Sequence, residues 1–513
     1  MRTTLVPVVL LTCFAPAALG EDPAVSREEQ GNAQRSHSGL QDTNPLPALT
    51  PRDKTGQQFV LYADCCSGVK GSVYGANLRK VNSVVGRLRP APDFIAFPGD
   101  AVSGFTTDYD ALRGQWEYWY GTEMKWLQET RIPLYQATSN HNTYAPGSEE
   151  VFRQVHRHLP QNGPADQKGL AYYVRRGNLL YVSTHQPDRR WPQAPPSYRP
   201  DMVFDANWLD RVLTEHKDAK FKFVAGHYPV FPVNGYEESP LWCFKPQERA
   251  PFWNVLVRHK VNAYLASHII AFDVQIHEGV PQIVSGGAGT AYGPGGAMPG
   301  LTEYLHAVQL AIDDQALRYQ VLDVTGTVRE QLSWPFSLPL SSKWHPMTAR
   351  DTTSHLQSDG QAREVVAWRF RGILGKVAHD AVAQTLLCGW RPEQEATDVW
   401  VGFDGNPARL TVRLLSGSKL GIQTWEGASF ESEARFDFQL ALHPGMGPGG
   451  ILYRRDDSAP WSSLNSASPK GTEDLAWPNT WSIGMRYGNS SDQPFLGEGL
   501  QIVQTHVAMQ EVW

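Results

Sequence analysis

Asp93-Phe94-Ile95-Ala96-Phe97-Pro98-Gly99-Asp100-Ala101-Val102 is the stretch that decides how this chain folds. An apolar run of strand length ends in Gly-Asp, which puts one carboxylate at the carboxyl edge of a buried strand, where open α/β sheets hold their ligands. A lone aspartate there would cap a helix or close a turn. Four further apolar runs also end in residues of metal-ligand type. Residues 59–63 lead to Asp64, 132–137 to Ser139-Asn140-His141-Asn142, 221–225 to Gly226-His227, and 261–266 to Ser267-His268. Capping alone accounts poorly for five strands that deliver Asp, Asp, Asn, His and His to sheet edges.

Outward from these runs, strand-like and amphipathic segments alternate from residue 59 to about 335, the pattern of a layered α/β domain. The spacing predicts helices over 77–88, with Leu78, Val81, Val84, Val85 and Leu88 on one face, and over 109–130, with Leu112, Trp116, Trp119, Met124 and Leu127. Two more are expected over 204–216, introduced by Asp205, and over 252–259. Residues 172–182 read as a hairpin turning at Gly177-Asn178. Segments 187–200 and 229–251 read as long loops, and loops of that length inside a domain usually carry function. After about residue 340, short strands follow at near-regular spacing: 364–370, 383–388, 398–403, 410–415, 420–425, 436–442, 481–487 and 500–509. That cadence implies an all-β sandwich.

At 513 residues the chain exceeds one ordinary core, so two domains are expected. A net charge of −6 at this length gives no reason to expect nucleic acid as a partner. Residues 1–20 read as a signal peptide: Arg2 supplies the positive start, 5–14 the apolar core, and Ala18-Leu19-Gly20 the small residues for cleavage. That core is too short to cross a bilayer, and no later run has spanning length. A secreted or periplasmic location follows as an expectation. Residues 21–57 are polar, with few branched or aromatic residues, and read as a disordered leader. Cys65, Cys66, Cys243 and Cys388 remain once Cys13 is removed with the signal. In an oxidising compartment, Cys65 or Cys66 with Cys243 is the expected disulfide.

The order Tyr62-Ala63-Asp64, Pro98-Gly99-Asp100, Ser139-Asn140-His141, Gly226-His227 and Ser267-His268 resembles the calcineurin-like metallophosphoesterases, the purple acid phosphatases among them. Their pattern runs Asp-x-His, Gly-Asp, Gly-Asn-His-Asp or Glu, a lone His, and Gly-His-x-His. Residues 279–289, with their Gly-Gly-Ala-Gly end, are similar to the glycine-rich strand that closes that domain. The resemblance covers about half the chain and implies a two-sheet α/β/β/α sandwich over 58–340. It assigns metal ligation to Asp64, Asp100, Asn140, His227 and His268, with His141 near the leaving group as a catalytic residue beside Asp100.

The chain departs from that pattern in places. Cys66 stands where the first His should be, Ile270 where the last should be, Ser103 where purple acid phosphatases have a Tyr, and Asn142 where an acid orients the catalytic His. One well-formed site for a divalent or trivalent transition metal (Zn, Mn or Fe) is therefore expected, with Asp64 in a weakened second position. His185 and His277 are read as structural, and Arg189 and Arg190 as solvated.

Residues 345–513 resemble the concanavalin-like, LamG-type jelly rolls through 450–457, Trp481-Ser482-Ile483-Gly484 and 495–502. Three roles are open to such a domain: binding a glycan, binding a protein ligand, or only packing on its neighbour. The function these resemblances imply is hydrolysis of a phosphate ester through a metal-activated water. The alternative is a catalytically impaired pseudo-phosphatase that binds through its cleft and jelly roll.

Overall fold

In a computed structural model of the chain, the described residues are 44–186, 205–233, 242–290, 304–347, 364–375, 383–391, 396–405, 407–415, 422–446, 450–466, 480–486 and 493–513. The signal segment, leader residues 21–43, the loop 187–200 with Arg189 and Arg190, and part of the second long loop lie outside them.

Two six-stranded sheets form the first domain. In one, Gln57–Leu61, Ile95–Phe97 and Leu134–Gln136 run parallel, and His306–Ile312, Leu317–Asp323 and Val328–Trp334 continue the sheet antiparallel. In the other, Leu179–Ser183, Phe221–Ala225, Ala263–Ala266 and Val280–Ser285 are parallel, and Tyr172–Arg176 and Phe272–His277 are antiparallel edges. Alternate strand residues face inward, so Phe59, Phe94, Tyr135, Tyr181 and Phe223 interdigitate between the sheets. On the outer face of the second sheet, Leu180, Val224 and Tyr264 meet Leu209, Val212, Phe252 and Leu256 from helices Ala206–Glu215 and Pro246–Arg258. On the outer face of the first, the Tyr62 hydroxyl donates to Asn82 of helix Val73–Gly86, and Phe97 meets Trp119 edge-on. This is the α/β/β/α sandwich that the resemblance implies, and the layered α/β domain expected from the strand pattern.

Several local expectations change. The helix expected over 109–130 is three pieces: Tyr109–Tyr118, a π-turn Trp119–Glu123 and Lys125–Thr130. The wide turn sends the Trp119 indole to the Cys65 sulfur (3.4 Å) and lets Glu123 accept the backbone N–H of Gly68 (2.9 Å), fixing the loop after Asp64. Helix Pro146–Val155, unforeseen, follows the Asn140 turn. The helix expected from residue 252 begins at Pro246, where Glu248 accepts the N–H of Lys245.

The leader is also shorter than composition implied. Residues 44–57 lie on the domain: Leu46–Pro47 pairs in parallel with Leu88–Arg89, and the N–H groups of Leu49 and Arg52 donate to Gln309 (2.7 Å) and Asp313 (2.8 Å). Backbone groups do this holding, which a count of apolar residues cannot register.

The C-terminal region is two further six-stranded antiparallel sheets enclosing Trp368, Phe370, Leu386, Phe403, Trp425, Phe438 and Trp481. Each of the eight segments expected as strands overlaps a strand, Glu364–Ile373, Ala396–Asp404 and Arg435–Leu442 covering theirs in full, whereas of 481–487 only 481–483 is strand, residue 509 already belongs to helix Met509–Val512, and 420, 421 and 487 lie outside the described residues. Trp400 and Trp425 are core residues, with Arg413 stacked over the Trp400 ring, so neither offers a face to a sugar. Strand Glu364–Ile373 is buried on both faces. Val366, Trp368 and Phe370 enter the sandwich core, while Val365 and Ala367 join Ala441, Leu452, Trp461 and Val507 in one continuous core with Tyr319, Leu332, Trp334 and Phe336 of the first domain. Polar bonds cross the same junction, from the Tyr319 hydroxyl to the Gly445 carbonyl (3.0 Å) and from the Ile276 N–H to Ser463 Oγ (2.8 Å).

Candidate metal centre

The parallel strands of both sheets end at a common edge, and the loops that follow carry the donors. Asp64, Asp100 and Asn140-His141 follow three adjacent strands of the first sheet, and His227 and His268 follow two adjacent strands of the second. Hydrogen bonding continues beyond the strands: the N–H of Cys66 donates to the Asp100 carbonyl (2.8 Å) and that of Ser67 to the Ala101 carbonyl (3.0 Å). The loops bearing Asp64 and Asp100 are thus zipped together. Gly99, at φ +112°, sits where a Cβ would lie 2.6 Å from both His227 Nδ1 and Ser139 Cβ, so only glycine lets these loops close.

Of the ten non-glycine residues at positive φ among those described, Asp64, Cys66, Asp100, Phe105 and His268 are here. Concentration of left-handed backbone at one sheet edge marks a place where geometry is held against local preference.

His227 is fully buried, with Nδ1 2.9 Å from the Pro98 carbonyl and 3.0 Å from Ser267 Oγ. A carbonyl only accepts, so Nδ1 carries a proton and the matching neutral tautomer presents the lone pair of Nε2. That lone pair faces Asn140 Oδ1 at 2.5 Å, His268 Nδ1 at 3.0 Å and Asp100 Oδ2 at 3.4 Å. Two imidazole nitrogens, an amide oxygen and a carboxylate therefore converge. Tetrahedral ligands at zinc-like bond lengths stand about 3.3–3.6 Å apart, so the Asp100 and His268 spacings nearly match and the Asn140 contact would open. Asp100 is fixed from behind, its N–H donating to Ser139 Oγ (2.9 Å).

Asp64 lies beside this set, with Oδ2 accepting the N–H of His268 (2.9 Å). Its Oδ1 is buried without a hydrogen-bond partner among the described residues. A buried carboxylate oxygen left bare is costly unless a proton or cation meets it. Burial pushes the Asp64 carboxyl well up, and the neighbouring Asp100 carboxylate adds to the shift. At Asp100 burial acts the same way, yet the imidazoles of His141, His227 and His268 outweigh it and hold that group well below the usual carboxylate range. Hard and borderline donors facing one point, with an unpaired oxygen beside them, fit a divalent transition ion.

His141 is the partly exposed member. Nδ1 donates to the Ser103 carbonyl (2.6 Å), the Phe105 ring covers the imidazole at 3.9 Å, and the N–H of Phe105 donates to the His141 carbonyl (3.1 Å). Nε2 is thereby aimed inward, 3.6 Å from Asp100 Oδ2 and 3.8 Å from the sulfur of Cys66. Asn142, at the position where the related pattern has an orienting acid, accepts the N–H of Ser139 (2.7 Å) and shapes the turn. The Ser103 carbonyl does the orienting.

The expected disulfide is absent. Cys65, Cys66, Cys243 and Cys388 are all unbridged. The Cys65 thiol is fully buried against the Ala101 carbonyl (2.9 Å) and the Trp119 indole, which turns it away from pairing. Cys66 faces the site, and burial together with the carboxylates of Asp100 and Asp64 pushes its thiol up.

His185 holds Thr138 Oγ1 (2.8 Å) and Glu149 Oε1 (3.3 Å), and His277 stacks on Phe231 and bonds Gln275 (3.0 Å); both are structural. Phe105, Tyr228 and Trp242, whose rings line His141 and His268, were not legible as site residues. Nor were Ser139 and Ser267 singled out, although each immediately precedes a donor.

No protein-family model and no curated protein matches the chain. Solved structures similar to it include a purple acid phosphatase from yellow lupin (Lupinus luteus) seeds, at 12% identity and TM-score 0.40 over 56% of this chain and 55% of that one. A dimetal phosphatase from Danio rerio aligns at 15% identity and TM-score 0.37 over 54% of this chain and 98% of that one. GAP50, the anchor in the inner membrane complex of Plasmodium, aligns at 14% identity and TM-score 0.38 over 55% and 89%. The chain thus spans about half the length of the lupin enzyme.

Proposed function

We propose that the chain hydrolyses a phosphate ester at a single divalent transition ion (Zn, Mn or Fe) held by Asp100, Asn140, His227 and His268. The observation that carries this reading is the convergence of four acceptors on one point, with His227 Nε2 at 2.5, 3.0 and 3.4 Å from the other three. An ion bound there supplies Lewis-acid polarisation of a phosphate oxygen and lowers the pKa of water.

The chain's own residues do the rest. Pro98 and Ser267 fix the tautomer of His227. Ser139 positions Asp100. The Ser103 carbonyl and the Phe105 ring hold His141 so that its protonated Nε2, the partly exposed donor, gives a proton to the departing alkoxide.

His227→Ala tests this. Elemental analysis should show one ion per chain lost, and metal-dependent turnover of a model phosphate ester should fall on the order of 10²–10³-fold with the fold retained. Unchanged turnover would sink the proposal. A binding role without turnover is the second reading, favoured by Ile270, which offers no donor where the related pattern has an imidazole; it stands if the metal-loaded protein hydrolyses no mono- or diester.

In the same reading the chain is exported, on the strength of residues 1–20, and N-terminal sequencing of the mature protein checks it. The C-terminal sandwich is read as a jelly roll with a glycan or protein ligand, and silence of the full-length protein on a glycan array would count against the glycan.

A further inference from the structure

A pocket of about 510 Å³ lies between helices Tyr109–Tyr118 and Pro146–Val155 and shares no lining residue with the candidate metal centre. Small-molecule sites usually enclose about 300–1,000 Å³. Trp116, Tyr120 and Val155 line it with apolar surface, and Arg113, Arg157 and Glu117 line it with charge. Two cations therefore stand against one carboxylate. Arg113 is held in place by donating to Gln154 Oε1 (2.7 Å), whereas exposed Arg157 has no side-chain partner among the described residues.

Two buried donors on this wall have nothing to bond. Trp116 is fully buried, and its indole N–H meets no acceptor among the described residues. The Tyr120 hydroxyl is equally bare, and burial pushes its pKa up, so it keeps its proton and remains a donor. A neighbouring acceptor, His156 Nε2, is bare too, so neither donor reaches it, and His156 does not line the pocket. Buried polar groups are paired almost everywhere in folded proteins, so two unpaired donors on adjoining rings, 6.1 Å apart and 26° from parallel, call for an acceptor from outside the chain. Both are closed to water, and the half-buried Tyr120 ring must turn to present them. Tyr120 sits in the π-turn Trp119–Glu123, an irregularity common where ligands bind, and a Cβ at Gly121 beside it would meet nothing within 4 Å.

We propose that this pocket binds a small aryl carboxylate. The ring lies against Tyr120 and Val155. The carboxylate, which only accepts, takes the Tyr120 hydroxyl and the Trp116 indole N–H as Tyr120 turns, and its charge is met by Arg157 and Arg113. The site does not depend on the hydrolytic reading.

Calorimetric titration of the full-length protein with sodium 2-naphthoate is the test. One equivalent should bind. Arg157→Glu, an exposed change, should weaken binding about tenfold, and Tyr120→Phe, which keeps the ring and removes only the donor, about fivefold. Neutral 2-naphthylmethanol should bind about tenfold more weakly than the naphthoate. A carboxylate also suits a metal ion, so His227→Ala is the control, and it should bind the naphthoate as the unmodified protein does. Loss of binding in His227→Ala would place the anion at the candidate metal centre and overturn the proposal. Absence of binding at concentrations on the order of 1 mM, or unchanged affinity in Arg157→Glu and Tyr120→Phe, would overturn it as well. Should the chain hydrolyse no phosphate ester, the titration is expected to come out the same, so the two readings fail separately.

Discussion

At the sheet edge, Asp64, Cys66, Asp100 and His268 hold left-handed backbone and bring like-charged carboxylates together in the dark of the protein. At the junction with the sandwich, Trp334, Phe336, Leu452 and Trp461 meet as buried apolar residues. The first region is costly, with non-glycine residues in such conformations worth roughly 1–3 kcal/mol each. The second gains by burial, at roughly 25 cal/mol per Å² of apolar surface. The contrast teaches that the sheet edge does not stabilise itself; the cores on either side hold its geometry.

Removing the junction should break that contrast most severely. A chain ending at residue 344 would bare Tyr319, Leu332, Trp334 and Phe336, now at most 8% exposed. The expected outcome on size-exclusion chromatography is aggregation, with no folded metal-binding monomer. A soluble fragment that still bound metal would show that the edge is self-supporting.

Acid should reach the junction next. His443 lies there with its ring against Phe336 (5.3 Å) and Nδ1 accepting the N–H of Gly445 (3.2 Å), and burial holds its pKa down at about 3 against an ordinary 6.5. The unfolded chain takes up this proton below pH 6.5 while the folded chain does not. The stability it contributes is full above that pH and is lost as pH falls toward 3, by about 2 kcal/mol at pH 5. Denaturant melts at pH 7.5 and 5 should show this loss. His443→Gln should flatten that share of the pH dependence, leaving the share from His156, His277 and His306, which burial also depresses.

The smallest effect sharpens the other side. Gly104, at φ +55°, sits where a Cβ would collide with the His141 carbonyl, whereas Gly71, at φ +80°, faces open space. Gly104→Ala should cost about 1–3 kcal/mol and lower turnover by displacing His141, and Gly71→Ala should cost about 1 kcal/mol with turnover unchanged. Equal effects from the two would mean that the edge is no tighter than an ordinary surface turn.

The same division governs what could be read beforehand. Period-two and helical patterning made both sheets and the sandwich strands legible, because burial imposes those patterns on the residues themselves. That Asp64, Asp100, Asn140, His227 and His268 come to one sheet edge was legible because each follows a strand. What orients them was not. The Ser103 and Pro98 carbonyls act through backbone, which leaves no mark on residue type, and the π-turn at Trp119–Glu123 looks helical in any periodicity. Cys66 was misjudged for a different reason: adjacent cysteines in a chain read as exported suggest a bridge, and only the fold shows one thiol turned into the core and the other toward the cleft.

Strand Glu364–Ile373 carries a last consequence, for how the chain is made. It belongs to two cores, and its neighbours in the sheet, Arg435–Leu442 and Glu498–Ala508, come from far downstream. During synthesis the first domain therefore emerges with an apolar flank bare and waits on strands not yet translated before that flank is covered. Completion of the fold is deferred until after the sheet-edge loops have left the ribosome, an interval in which a chaperone has a defined surface to guard.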